Sequence, residues 1–268
     1  MSAHRSGFAR VNDSELYYET DGAGPAVVLL HGGLLNLRQW DDQVERFARD
    51  YLVIRYDARG HGRSSFPAVP YSHHDDLNGL LRKLGIEQAH LVALSQGTAV
   101  AVEFTLTFPG MVRSLVLGAA PLRGYALSAE FSDAMRAIIA AGVGGDTERT
   151  RRLLWDFAPL RHAATQSTVR ERADRMVLVD YSWAVFREDA PQRRSVDPPP
   201  AARLDAIAAP TLVVVGDEEM PTLTEQAEFM AKRIPGARMV VIRDAGHWVN
   251  MEQPEEFERV VLDFLRSN

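Results

Sequence analysis

Runs rich in Val, Leu and Ile, without polar alternation, recur along the chain at Ala26–Leu30, Leu52–Tyr56, Ala89–Ala93, Arg113–Gly118, Thr211–Val215 and Met239–Ile242. A strand with one wet face alternates polar and apolar residues, so these continuous runs predict strands covered on both faces. Longer stretches of helical periodicity lie between them, over Trp40–Ala48, Asp75–Leu84, Thr98–Phe108, Thr224–Ile234 and Pro254–Arg266. Pro109 and Gly110 supply the breaker that ends the third. Near the start, Phe8–Val11 and Glu15–Glu19 read as an antiparallel pair turning at Asn12 and Asp13. Strands alternating with helices predict an α/β fold, a mostly parallel sheet flanked by helices.

The alternation stops between about Leu122 and Leu204. That segment reads as helical throughout, mixes Arg with acids, and carries Trp155, Met176, Tyr181, Trp183 and Phe186. It closes on "SVDPPPAARLD", a stiff proline stretch suited to returning the chain to the sheet. The division expected is a core of residues 1–121 and 205–268 with a helical lid, 122–204, inserted between two core strands. The plain alternative is a set of extra surface helices. A lid would instead roof a pocket over the strand ends with apolar side chains.

Composition removes several functions. The 268 residues carry a formal net charge of −6 without long single-sign blocks, whereas binding nucleic acid calls for a concentrated basic face. With no cysteine, neither a disulfide nor a thiolate metal site can form, and the histidines are too scattered for a metal cluster. No apolar run approaches the ~20 residues of a membrane helix, and the N-terminus lacks a signal-type apolar core. The expectation is a cytoplasmic protein, monomer or homodimer, acting on a small molecule without cofactor or metal.

Four stretches carry candidate chemistry. In "ALSQG", Ser95 follows a strand and opens a helix, so it is either a helix N-cap or a nucleophile lifted out by a strained strand-to-helix turn. The first small residue of that motif is Ala93 rather than glycine. The Gln96 N–H at the helix start can meet a developing oxyanion. "LLHGGLLNLRQW" ends a strand on His31-Gly32-Gly33, and the Gly33 N–H, with no Cβ in the way, can be the second donor. His31 reads as a brace for that loop. "VIRDAGHWVNMEQPEEF" puts His247 in the loop after the last strand, where a general base could reach a serine. "TLVVVGDEEMPTL" offers Asp217, Glu218 and Glu219 as the carboxylate that orients the base, though acids after a strand also form ordinary solvated turns.

Taken in order, "HGG", "RYDARGHGRSS", "ALSQG", "FPGMVRSLVL", "PTLVVVGDEEMP" and "IPGARMVVIRDAGHWVNMEQPEEF" resemble the α/β-hydrolase superfamily, in its lid-bearing branch of small bacterial serine hydrolases. The likeness spans Phe8–Pro121 and Ala209–Phe264. It implies Ser95 as nucleophile, His247 as base, and Gly33 with Gln96 as oxyanion donors. The acid would be Glu219, where the family usually has Asp, with Asp217 as the alternative. Asp57, Arg59 and His61 fall in a structural loop of the family.

What the resemblance implies is hydrolysis of a carboxylic ester or lactone through an acyl-enzyme. The alternatives are carbon–carbon bond hydrolysis on the same machinery and a non-catalytic, ligand-binding member. Branches with an Asp nucleophile, the haloalkane dehalogenases and epoxide hydrolases, are disfavoured by Ser95. The candidate pocket residues are Leu34, Arg123, Trp155, Trp183 and Trp248, with Arg123 just past the core-to-lid junction. The other lid arginines lie beside acids at helical spacings and read as a solvated face.

Overall fold

The computed structural model describes residues 4–119 and 121–268. Among them, eight strands form one sheet in the order β1-β2-β4-β3-β5-β6-β7-β8. These are β1 (Arg5–Val11), β2 (Ser14–Asp21), β3 (Ala26–Leu30), β4 (Leu52–Tyr56), β5 (Ala89–Leu94), β6 (Val112–Gly118), β7 (Thr211–Gly216) and β8 (Arg238–Ile242). β2 is antiparallel to both its neighbours, and from β4 to β8 every pairing is parallel.

The lack of alternation has a direct cause. Along β3, Val28 and Leu30 enter one apolar core while Val27 and Leu29 enter the other. β5 divides in the same way, with Leu91 and Ala93 opposite Val92 and Leu94. The first core is closed by α2 (His73–Lys83), α3 (Gln96–Thr107) and α7 (Pro221–Arg233); the second by α1 (Asp41–Phe47) and α9 (Pro254–Arg266). The first of these helices is preceded by a 3-10 turn, Leu37–Trp40, seated by the Asn36 side chain accepting from the Arg38 N–H. α3 is buried at every position from Gly97 to Thr105, the reason its sequence is apolar nearly all round.

From β3 the chain runs out to β4, then returns to β5 on the other side of β3. The carboxyl ends of β3 and β5 therefore flank the crevice where an open α/β sheet offers a ligand site.

The insertion leaves after β6 and returns before β7. It contains α4 (Ala129–Val143), α5 (Thr147–Asp156) and α6 (Ser167–Asp174), the last running into a π-helical turn, Arg175–Val179. The expectation of helix throughout is corrected here: beyond Asp180 the chain forms only short 3-10 turns and extended stretches. Pro191 and the run Pro198–Pro200 withhold backbone donors there. At the neck, the Ala201 N–H donates to the Arg123 carbonyl at 3.0 Å, tying the outgoing chain to the returning one. A third apolar cluster joins insertion residues such as Ile138, Leu154, Phe157 and Met176 to Leu34, Leu35, Trp248 and Met251 of the core. The inserted segment is thus packed onto the strand ends.

Candidate active site

Ser95 lies between β5 and α3 with φ +53° and ψ −120°, a left-handed-side conformation costly for a residue with a Cβ. The surroundings hold it there. Its N–H donates to the Gly118 carbonyl at 2.9 Å, and Thr98 Oγ1 donates to that same carbonyl at 2.8 Å. Gly97 is obligatory, because a Cβ would sit 2.2 Å from the Leu30 carbonyl oxygen. The helix N-cap role is absent: the Ser95 side chain caps nothing and instead lies 3.0 Å from His247 Nε2.

His247 follows β8 and is buried. Its Nδ1 is 2.7 Å from Glu219 Oε2, so Nδ1–H donates to the carboxylate and Nε2 faces the hydroxyl. Burial works against the imidazolium, but the charge and hydrogen bond of Glu219, with the charge of Glu252 added, raise the His247 pKa above the ordinary histidine value. Glu219 also accepts the Met220 N–H at 2.8 Å. Of the three acids after β7, Asp217 accepts the Ala245 N–H at 3.4 Å and Glu218 donates its own N–H to the Ala245 carbonyl, while only Glu219 reaches the ring. Gly216 makes the meeting possible, since a Cβ there would lie 1.9 Å from the Ala245 carbonyl.

The two expected oxyanion donors lie past the ends of different strands, Gly33 after β3 and Gln96 after β5. Gln96 opens α3, and its N–H belongs to the first turn, which has no acceptor within the helix. Gly33 lines the same cavity as Ser95 and Gln96. Gly32 comes close enough that a Cβ would be 3.3 Å from Ser95 Cβ, and its N–H is held by Gln39 Oε1 at 2.7 Å. Gln39 belongs to a buried amide network with Gln43 and Asn250, so the loop after β3 is tied to the segment just past His247.

His31 does brace its loop: Nδ1–H donates to the Gly32 carbonyl and Nε2 accepts the Ala58 N–H. Burial keeps it neutral, with its pKa pushed down to about 4. His61 donates to the Leu35 carbonyl and accepts from Gln96 Nε2 at 3.2 Å, and burial pushes its pKa down to about 3. Asp57 accepts the Leu37 and Arg63 N–H groups, and Arg59 pairs with Asp76. All three serve the loop.

Above Ser95 lies a cavity of about 250 Å³. Its wall holds Leu34 and Trp248, as expected, together with Phe131, Met135, Ile139, Leu154, Phe157, Leu160 and Phe186. Three expected pocket residues lie elsewhere. Trp155 stands edge-on behind Trp248 and donates its indole N–H to Asp174 at 2.9 Å, so it backs the wall. Trp183 packs on Tyr181 and over Gly142, where a Cβ would be 2.1 Å from its ring, and so fills the interior of the insertion. Arg123 is half exposed, 4.0 Å from Glu103 and away from the cavity. A guanidinium at the neck gains more by staying hydrated beside a carboxylate than by entering an apolar space.

The wall residues of α4 were legible and missed: Phe131, Met135 and Ile139 recur every four residues and share one helix face. Glu252 was missed as well, because one acid among "EQPEEF" carries no mark of its burial.

A hydroxyl, an imidazole and a carboxylate in this relay can deprotonate the hydroxyl as it attacks a carbonyl. Comparison with known proteins agrees with the class of chemistry. The chain belongs to the alpha/beta hydrolase fold family, whose model matches residues 25–254, and it is a hydrolase. It is 28% identical to a 2-hydroxy-6-oxononadienedioate/2-hydroxy-6-oxononatrienedioate hydrolase of Pseudomonas putida, over 98% of this chain and 97% of that protein. Among solved structures it superposes on the enol-lactonase of Burkholderia xenovorans LB400 with TM-score 0.79 and 25% identity, covering 97% of this chain and 100% of that one. A thermophilic esterase from Thermogutta terrifontis gives TM-score 0.80 and 26% identity, over 98% of both chains.

Proposed function

We propose that the protein is a serine hydrolase of carboxylic esters or lactones whose acid or alcohol part is apolar and uncharged. The observation that carries this is the relay from Ser95 through His247 to Glu219, at 3.0 and 2.7 Å, opening into the apolar cavity. Ser95 Oγ bonds to the carbonyl carbon while its proton passes to His247 Nε2. The Gly33 and Gln96 N–H groups receive the oxyanion, and losing one such donor typically costs about 10²–10³ in rate. On collapse, His247 gives the proton to the leaving alcohol, which departs as the acyl-enzyme forms. Water then loses a proton to His247 and attacks; the acid is released and Ser95 regains its hydrogen.

The likeness to the dienedioate hydrolase supports a second reading, carbon–carbon bond cleavage by the same residues. A dioate, however, brings two carboxylates, and among the described residues of the cavity wall none is Arg or Lys. An unpaired buried carboxylate costs several kcal/mol, which favours the ester or lactone. The test is hydrolysis of p-nitrophenyl butyrate with labelling by a fluorophosphonate. The wild type should turn over and carry the label on Ser95, and Ser95→Ala should lose about 10⁴-fold or more in kcat while remaining folded. Undiminished turnover in Ser95→Ala would rule the scheme out.

A further inference from the structure

Beyond the relay, a second buried carboxylate touches the loop that carries His247. Glu252 lies in α8 (Val249–Glu252), the short helix after that loop, and its side chain is fully buried. Oε2 accepts the Gly246 N–H at 2.9 Å and Oε1 accepts the Trp248 N–H at 2.8 Å. The two bonds straddle His247, one on each side along the backbone. Gly246 fits closely here: a Cβ would fall 3.1 Å from His162 Cβ and 3.3 Å from Glu252 Oε2, so either side chain would have to give by a few tenths of an ångström.

His162, from the insertion, completes the arrangement. Its Nδ1 is 2.5 Å from Glu252 Oε2 and its Nε2 is 3.2 Å from Asp244 Oδ1. Ionised carboxylates only accept, and a neutral imidazole has one N–H to give, so a ring between two of them is held as the imidazolium. Asp244 is itself fixed, with Gln253 Nε2 donating to its carbonyl and its carboxylate.

We propose that Glu252 is a positioning residue for His247, holding its loop from both sides and placing negative charge behind the ring, and that His162 latches the insertion to this carboxylate and offsets part of that charge. The proposal rests on His247 being the base of the hydrolysis proposed above. It makes the base's proton affinity depend on a contact supplied by the insertion. The groups facing His247 are Ser95, Glu219 and Glu252. Those around His162 are Glu252 and Asp244, with Glu130, Arg161, Glu218 and Glu219 along the adjoining cleft. The His162 pKa lies above the ordinary histidine value: burial opposes the cation, but Glu252 and then Asp244 outweigh it.

The two variants predict shifts of opposite sign. Removing the charge with Glu252→Gln should lower the His247 pKa, and removing the cation with His162→Gln should raise it, each by about half to one pH unit. The readout is titration of the His247 ring nitrogens by NMR in the full-length wild type and both variants. It needs no turnover, so an inactive wild type would end the hydrolase reading and leave this result standing. A scaffold-only role for Glu252 and His162 does not produce paired shifts of opposite sign. No shift in either variant, or shifts in the same direction, overturns the proposal. Should Glu252→Gln not fold, His162→Gln decides alone: an upward shift supports the latch and any other result refutes it.

Discussion

Single residues here act by what they leave room for as much as by what they bond. Gly216 lets the chain after β8 pass against the end of β7, and the approach that results is what brings Glu219 to His247. Exchanging the two rival acids separates their roles. Glu219→Gln should lower kcat on p-nitrophenyl butyrate by about 10²–10⁴-fold, because the amide neither fixes the ring tautomer nor stabilises the cation. Asp217→Asn keeps an oxygen that can accept the Ala245 N–H at 3.4 Å and removes only the charge. It should leave kcat within about threefold and cost under ~1 kcal/mol in a denaturant titration. A collapse of kcat in Asp217→Asn with Glu219→Gln nearly wild type would reverse the assignment. Gly97→Ala should cost several kcal/mol, since its methyl would run into the Leu30 carbonyl; a thermal melt within a degree of wild type would refute the close approach.

At the level of elements, the strands were legible as apolar runs, and β3 shows why: successive residues feed two different cores. Cover on both faces fails for β8, which lies at the sheet edge and leaves Val241 exposed. The strand-to-helix step at Ser95 was legible from its small neighbours, although the sequence left its side chain free to cap the helix. Orientation within the insertion was not legible. Trp155 and Trp183 look alike as aromatic residues in helical sequence, yet one backs the cavity wall and the other fills a notch at Gly142. Only the three-dimensional path decides between such positions. The α4 stripe gives a test at this scale. Met135→Lys puts a cation into the apolar space beside Phe131 and Ile139. KM for p-nitrophenyl butyrate should rise about tenfold or more with kcat changed much less, since the loss is in binding the part of the substrate that does not react. Equal KM values in variant and wild type would mean that the ester does not occupy this cavity.

For the whole molecule, the buried histidines set the response to pH. His31 and His61 stay neutral when folded, with pKa values pushed down to about 4 and about 3, and His73 is held well below the ordinary value, burial being the main cause in each. The unfolded chain binds protons at these rings below about pH 6.5, so stability falls as pH drops from there toward the folded values, by up to ~1.4 kcal/mol per pH unit for each ring. Asp57, pushed up to about 6 by burial, works the other way in the acid range. His162 and His247 are raised, so their contribution is complete below about pH 6.5 and is lost as pH climbs through their folded values. Melting temperature should therefore decline on acidification from pH 6.5 to 4, and less steeply in His61→Gln. Identical slopes in the two proteins would exclude His61 as a source.

The bond between Ala201 N–H and the Arg123 carbonyl pinches the two ends of the insertion together above adjacent parallel strands. A segment stitched at its base in this way behaves as a cassette. Apart from His162, which meets Glu252 beside the His247 loop, its contents can be rewritten, lengthened or traded while the sheet below keeps its register. Inheritance of new specificities would then proceed by exchanging roofs over an unchanged floor.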